Sequence, residues 1–192
     1  MATTKLGDPK WIECERIVKL FGNAFVEGLT ITLGGTSSVK QQTCDYQQLL
    51  IRSCPRLKAI EYEGNGDYEL VTVVIDDTGL VSIPARVFGG GIGSLTTLRV
   101  TCNPSLKSTP ALESHNWVHL EELDLSRNAL QTLPRHVFAH TGKLKRVCLS
   151  GNNLVEIPLG LGMNSRFLVL LDVSCNPGLG QLPLDIPELI LL

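Results

Sequence analysis

"LEELDLSRN" occupies residues 120–128, "LKRVCLSGN" residues 144–152 and "LVLLDVSCN" residues 168–176. The three share apolar residues at positions 1, 4 and 6 and an asparagine at position 9, and they begin 24 residues apart. A fixed period of this length means a repeat architecture, in which each unit buries its apolar face only against its neighbours. The frame extends backward through "LTTLRVTCN" (95–103), "LVTVVIDDT" (70–78) and "YQQLLIRSC" (46–54). Position 9 then reads Cys54, Thr78, Asn103, Asn128, Asn152 and Asn176, with steps of 24, 25, 25, 24 and 24 residues. A second alignment tests the first of these: "CPRLKAI" (54–60) superimposes on "NPSLKST" (103–109) and "NPGLGQL" (176–182), so Cys54 stands where asparagine stands elsewhere.

Elementary geometry says what such a unit does. Apolar residues at positions 4 and 6 lie on one face of a short strand, because strand side chains alternate. The prolines of Ile83-Pro84, Leu133-Pro134, Ile157-Pro158 and Leu182-Pro183 exclude regular helix where each coil turns back. Stacked coils pair their strands at about 4.8 Å and close one continuous core. Backbone groups in turns buried between coils need partners, and an asparagine amide both donates and accepts. A cysteine in that column donates weakly but tolerates burial, so Cys54 is expected to be a structural thiol.

The pattern resembles the leucine-rich repeat family, in its intracellular 24-residue form, whose repeat admits asparagine or cysteine at position 9. The resemblance covers about residues 46–192 and includes Phe88 and Phe138, each ten residues past position 9. The first repeat departs from it, with Tyr46 at position 1 and no proline after Ile60. The resemblance implies an α/β leucine-rich-repeat solenoid: a curved parallel sheet on the concave face, short helical or irregular convex returns, and six repeats at 46–69, 70–94, 95–119, 120–143, 144–167 and 168–192.

Residues 1–45 are expected to form an N-terminal cap. Asp8-Pro9 is a helix start, and Trp11, Cys14, Ile17, Val18, Phe21 and Phe25 recur at helical spacing. "LTITL" (29–33) then reads as a strand beneath the first repeat and "GGTSS" (34–38) as a loop. No comparable cover is evident at the other end, where the next repeat would begin at residue 192 or 193. A fragment of a longer protein is therefore expected, with fraying or self-association through Leu189, Ile190, Leu191 and Leu192; the alternative is that "IPELILL" (186–192) folds over the last coil as a plain cap.

Composition excludes several functions. With 17 basic against 19 acidic residues and a formal charge of −2, nothing favours nucleic acid. No apolar run approaches the roughly 18 residues of a spanning helix, and "MATTKLGDPKWIE" lacks the signature of a secretory signal, so no membrane role is expected. The six cysteines form no C-x-x-C pair, which together with the absence of an N-x-S/T site (Pro104 blocks "NPS") points to a reducing, cytoplasmic setting.

In the family, concave side chains at positions 3, 5, 7 and 8 make the usual binding surface. Here they include Asp76, Asp77, Arg99, Thr101, Glu122, Asp124, Ser126, Arg127, Arg146, Cys148, Ser150, Asp172 and Ser174. The mixture of charge and small hydroxyls suits a protein partner, since Asp76, Asp77, Glu122 and Asp124 repel a polyanion. Arg99 and Arg127 are the candidate anchors, although pairing with Asp77 and Asp124 would equally account for them. Arg146 is expected to pair with Glu122. Three further patterns carry little. His136 and His140 in "HVFAH" lack the glutamate of a zinc helix. Cys148 and Cys175 are offset by roughly 10 Å along adjacent strands, at about 3.3 Å per residue, too far for a shared zinc. The acidic "EYEGNGDYE" (61–69) lacks a calcium-loop spacing and reads as a soluble turn.

No cofactor, metal or catalytic motif is expected. The leading reading is a non-catalytic, cytoplasmic interaction module. The alternatives are the regulatory repeat region of a larger signalling enzyme, such as a Roco-type GTPase-kinase or a phosphatase, and a substrate-recruiting ubiquitin-ligase subunit.

Overall fold

The structure, a computed structural model, describes residues 3–5, 17–21, 28–32, 48–63, 70–83, 94–113, 117–182 and 190–191. Its strands are β1 (Thr3–Lys5), β2 (Ile17–Phe21), β3 (Gly28–Thr32), β4 (Gln48–Cys54), β5 (Ala59–Glu63), β6 (Thr72–Thr78), β7 (Thr97–Thr101), β8 (Glu122–Asp124), β9 (Arg146–Cys148), β10 (Leu170–Asp172) and β11 (Ile190–Leu191). Eight of them form one wholly parallel sheet in the order β2-β4-β6-β7-β8-β9-β10-β11. From β4 to β10 the strands follow chain order and pair equivalent repeat positions, as in Leu49↔Val73, Val73↔Leu98, Leu98↔Leu123, Leu123↔Val147 and Leu171↔Val147.

The core follows from this register. Position 4 and 6 side chains (Leu49/Ile51, Val73/Ile75, Leu98/Val100, Leu123/Leu125, Val147/Leu149) are buried, and Leu171 continues the column with Val173 partly buried beside it. Leu57, Leu80, Leu106, Leu130 and Leu154 form a second buried column after the turn, and Trp117, Phe138 and Leu161 fill the returns. Trp117 donates its indole N–H to the Leu112 carbonyl at 3.1 Å, which answers the polar atom of a large buried ring. The returns include a 3-10 turn (Pro110–Leu112) and one short helix, α1 (Leu161–Asn164).

Position 8 has one backbone conformation in all six repeats. Ser53, Asp77, Cys102, Arg127 and Cys175 have φ between 53° and 56°, and Gly151 has φ 67°. A strand that simply continued would turn position 9 outward. One left-handed residue breaks the two-residue alternation, so position 8 stays outside and position 9 turns into the core. The turn keeps its hydrogen bonds, because the position 8 N–H donates to the position 7 carbonyl of the next coil: Cys102 to Ser126 (3.2 Å), Arg127 to Ser150 (2.8 Å) and Gly151 to Ser174 (3.0 Å). Only Gly151 adopts this conformation without a Cβ penalty, which is about 1 kcal/mol for the others.

The N-terminal region departs from the sequence expectation. Ile17, Val18 and Phe21, read as one face of a helix, lie instead in strand β2, paired in register with β4 from Ile17↔Gln48 to Phe21↔Arg52. Pairing to an otherwise open sheet edge satisfies backbone groups that a helix there would leave exposed. Trp11, Cys14 and Phe25 lie outside the described residues. "LTITL" does hold a strand, but β3 belongs to a second, three-stranded parallel sheet of order β1-β3-β5, with Leu29↔Ile60 and Ile31↔Tyr62. It therefore does not precede the first repeat in the main sheet. Glu61, Tyr62 and Glu63, expected in a soluble turn, are the end of β5, and the bridge Ser82↔Ser108 continues that layer between later coils.

The C-terminal expectation changes as well. Ile190 and Leu191 pair with Leu170 and Leu171, so these residues add a strand to the sheet 20 positions after β10, short of the 24-residue period. Leu189 and Leu192 lie outside the described residues.

One buried group lacks a partner. Thr109 is 2% exposed and occupies the column filled elsewhere by Ile60, Ile83, Leu133 and Ile157, and its hydroxyl has no hydrogen-bond partner among the described residues. Thr109→Val keeps the shape and removes the hydroxyl. It should raise unfolding stability by about 1 kcal/mol, read as a higher urea midpoint with an unchanged slope.

Candidate protein-binding face

Two polar systems flank the core: a buried ladder at position 9 and an exposed array on the opposite face of the sheet. In the ladder, the Asn128 amide donates to the carbonyls of Val100 and Leu125, both at 2.7 Å, and its oxygen accepts the Asn103 N–H at 2.9 Å. Asn152 donates to Leu125 and Leu149, both at 2.9 Å, and accepts from Leu130 N–H at 3.1 Å. Asn176 repeats this with Leu149, Val173 and Leu154. Each amide thus joins its own coil to the preceding one. Thr78, in the same column, donates its hydroxyl and its N–H to the Asn103 oxygen.

Cys54 is fully buried, and its thiol donates to the Arg52 carbonyl at 3.3 Å. Asn103 and Asn176 make the same contact, to the carbonyls of Thr101 (2.7 Å) and Ser174 (3.1 Å) two residues back. The thiol therefore reproduces one donor bond of the amide.

The open face is built by positions 3, 5 and 7 of the strands and by position 8 in its left-handed turn. Arg99 on β7 donates through Nε (3.0 Å) and Nη2 (2.7 Å) to Oε1 of Glu122 on β8. Arg146 on β9 places Nη2 3.6 Å from Oε2 of the same carboxylate. The expected pairing of Arg146 is thus present, whereas Arg99 pairs with Glu122 and not with Asp77 or Asp124. Glu122 stands diagonally to Arg99 across adjacent strands, within reach of its long side chain. Arg127 is exposed and makes no ion pair with a described residue, Asp124 included.

Several residues with a polar signature are tied up locally. Asp124 accepts the Ser126 N–H and Asp172 the Ser174 N–H, both at 3.0 Å, which are Asx turns at the strand ends. Burial pushes the Asp172 carboxyl up, but hydrogen bonds from Ser174, Ser150 and Cys148 outweigh it and hold the group below the ordinary carboxylate range. Thr101 donates to Asp76 at 2.6 Å. Cys148 lies 3.3 Å from the Ser150 hydroxyl and 3.5 Å from Asp172. Burial raises its thiol pKa, with Asp124 and Asp172 adding to the shift; Cys102 is raised by burial and by Asp76. Neither is a poised thiolate. Asp77 and Ser174 are exposed, and Ser126 and Ser150 half-buried. His136 and His140 are exposed on the return, away from this face, and no group of three or more metal-ligating side chains occurs among the described residues.

Residues 93–154 match the sequence pattern of the family described as leucine rich repeat. The solenoid has the leucine-rich repeat fold. Its fold is similar to that of the leucine-rich repeat domain of the type III effector XopL, with a TM-score of 0.57 and 22% identity over 88% of this chain. The alignment spans 61% of that chain. Leucine-rich repeat domains are typically protein-interaction modules. No helix among the described residues is long and apolar enough to cross a membrane.

Strand β2 is the main feature that the 24-residue period does not reveal. "VKLFGN" (18–23) has the same intervals between its apolar pair and its asparagine as "LDLSRN" (123–128), but it precedes Cys54 by 31 residues in that frame, outside the 24–25 period.

Proposed function

We propose that this leucine-rich repeat domain binds a protein partner on the open, concave face of its sheet and has no catalysis of its own. The observation that carries this reading is the array on β7, β8 and β9: exposed Arg99 and Arg146 held by Glu122, with Arg127 and the hydroxyls of Ser126 and Ser150 beside them. Arginine combined with small adaptable hydroxyls suits a protein surface better than a polyanion. Asp76, Asp77, Thr101, Asp124, Cys148, Asp172 and Ser174 form the rest of the footprint, the Asx-turn carboxylates shaping it more than contacting the partner. Residues 46–192 act as the binding unit, in a cytoplasmic setting, with residues before 46 covering its first coil.

The test is site-specific photocrosslinking. A photoreactive phenylalanine at Ser126 or Ser150 should give one common partner adduct, and the same group at His136 or His140 should give none. With the captured partner purified, Ser150→Trp should weaken binding at least tenfold, about 1.4 kcal/mol or more. Adducts from the histidine sites alone would move the binding surface to the convex side.

A further inference from the structure

We infer that Arg99, Glu122 and Arg146 form a preorganised receptor for one carboxylate side chain, a glutamate or aspartate presented by the partner. The inference rests on the concave face being the binding face and names the chemistry that this face selects. Three observations lead to it. Glu122 is 15% exposed, whereas the arginines on either side are 44% and 60% exposed, so solvent meets the guanidinium groups and not the carboxylate between them. Arg99 directs two of its five N–H donors to a single oxygen, and Arg146 stands 3.6 Å from the other, which leaves outward-facing donors on both. Two cations around one anion leave a single net positive charge, and one carboxylate neutralises it.

Stability does not account for the arrangement, because exposed ion pairs contribute only about 0.2–1 kcal/mol. Shared contact with one carboxylate does fix two flexible guanidinium groups on neighbouring strands. That lowers the ordering cost when an anion arrives. Asp124, opposite Arg99 in register, accepts the Ser126 N–H through one oxygen and makes no ion pair with either arginine. The carboxylates Asp76, Asp77 and Asp124 on the same face disfavour a second negative charge, so the site suits a singly charged carboxylate over a phosphate.

The experiment follows the arginine Nε–Hε resonances of the full chain by NMR, assigned by single Arg→Lys variants, during titration with N-acetyl-glutamate amide. Arg99 and Arg146 should shift together on one saturable curve with half-saturation of about 10 mM, the weak range of a single contact. The glutamine analogue should leave them unmoved. Arg146→Gln, with its fold verified by circular dichroism, should weaken the response of Arg99 at least threefold. Absence of a saturable shift up to 100 mM, or tighter binding of inorganic phosphate than of the glutamate probe, would overturn the inference. A silent titration beside productive crosslinks at Ser126 and Ser150 would remove this inference and leave the concave reading standing. A normal titration beside crosslinks only at His136 and His140 would leave a carboxylate receptor unused by the partner, and so overturn both.

Discussion

Asn152→Ala should destabilise the protein by about 2 kcal/mol, because one buried N–H is left without a partner, at about 1–3 kcal/mol, and two buried carbonyls each lose one of two donors. The N–H is that of Leu130; the carbonyls are those of Leu125, which keeps the Asn128 amide, and of Leu149, which keeps the Asn176 amide. Asn152 is 3% exposed, so solvent reaches the site poorly. In a stack whose stability is close to a sum of nearest-neighbour terms, the loss falls on one interface and should split a single unfolding transition into two. The control is one residue away. Asn153 is exposed, and its described contact is made by its backbone N–H to the Leu130 carbonyl. Asn153→Ala should change stability by less than about 0.5 kcal/mol. Urea unfolding of both variants, followed by circular dichroism and by tryptophan fluorescence, separates the ladder amide from its neighbour; equal effects would remove the ladder's special role.

Cys54→Asp should cost about 3 kcal/mol or more at pH 7, and Cys54→Asn clearly less. The thiol donates to the Arg52 carbonyl. An asparagine can replace that donor, whereas an ionised carboxylate brings only acceptors to a fully buried site. The pH dependence has a definite sign. Burial raises the folded-state pKa of the introduced carboxyl above its ordinary value of about 3.9, so the neutral form is favoured in the fold. The penalty relative to the parent protein is therefore smallest below about pH 4 and grows as the pH rises toward the raised folded-state pKa. Unfolding of Cys54→Asp and the parent protein at pH 4 and pH 7 reads this difference. A pH-independent gap would show that the cost is steric.

Much of the solenoid is legible in the chain by itself, for a simple reason. Positions 1, 4, 6 and 9 repeat at a constant interval, and burial of one strand face makes register obligatory, since a slip by one residue would expose every leucine. Leu123, Leu125 and Asn128 in one coil, and Val147, Leu149 and Asn152 in the next, could be assigned without coordinates because each coil faces the same constraint. The alignment of "CPRLKAI" with "NPSLKST" likewise placed Cys54 in the ladder column, where its thiol makes the bond of the missing amide.

The tertiary structure decided what periodicity does not encode. Ile17, Val18 and Phe21 carry helical spacing, yet β2 is a strand because the edge of β4 offers a full row of backbone partners, and pairing with them outweighs a weak local preference. The second sheet needs residues 28–32 and 59–63 to meet across an interval that no repeat marks. On the open face, composition offered Asp77 or Asp124 as partners for the arginines; the choice of Glu122 follows from side-chain reach across β7, β8 and β9. The left-handed turn at position 8 is invisible in Ser53, Asp77, Cys102, Arg127 and Cys175, none of which is glycine. It is imposed by the stack, which must hold position 9 in the core while position 8 stays in the interstrand ladder, and that requirement outweighs a local cost of about 1 kcal/mol.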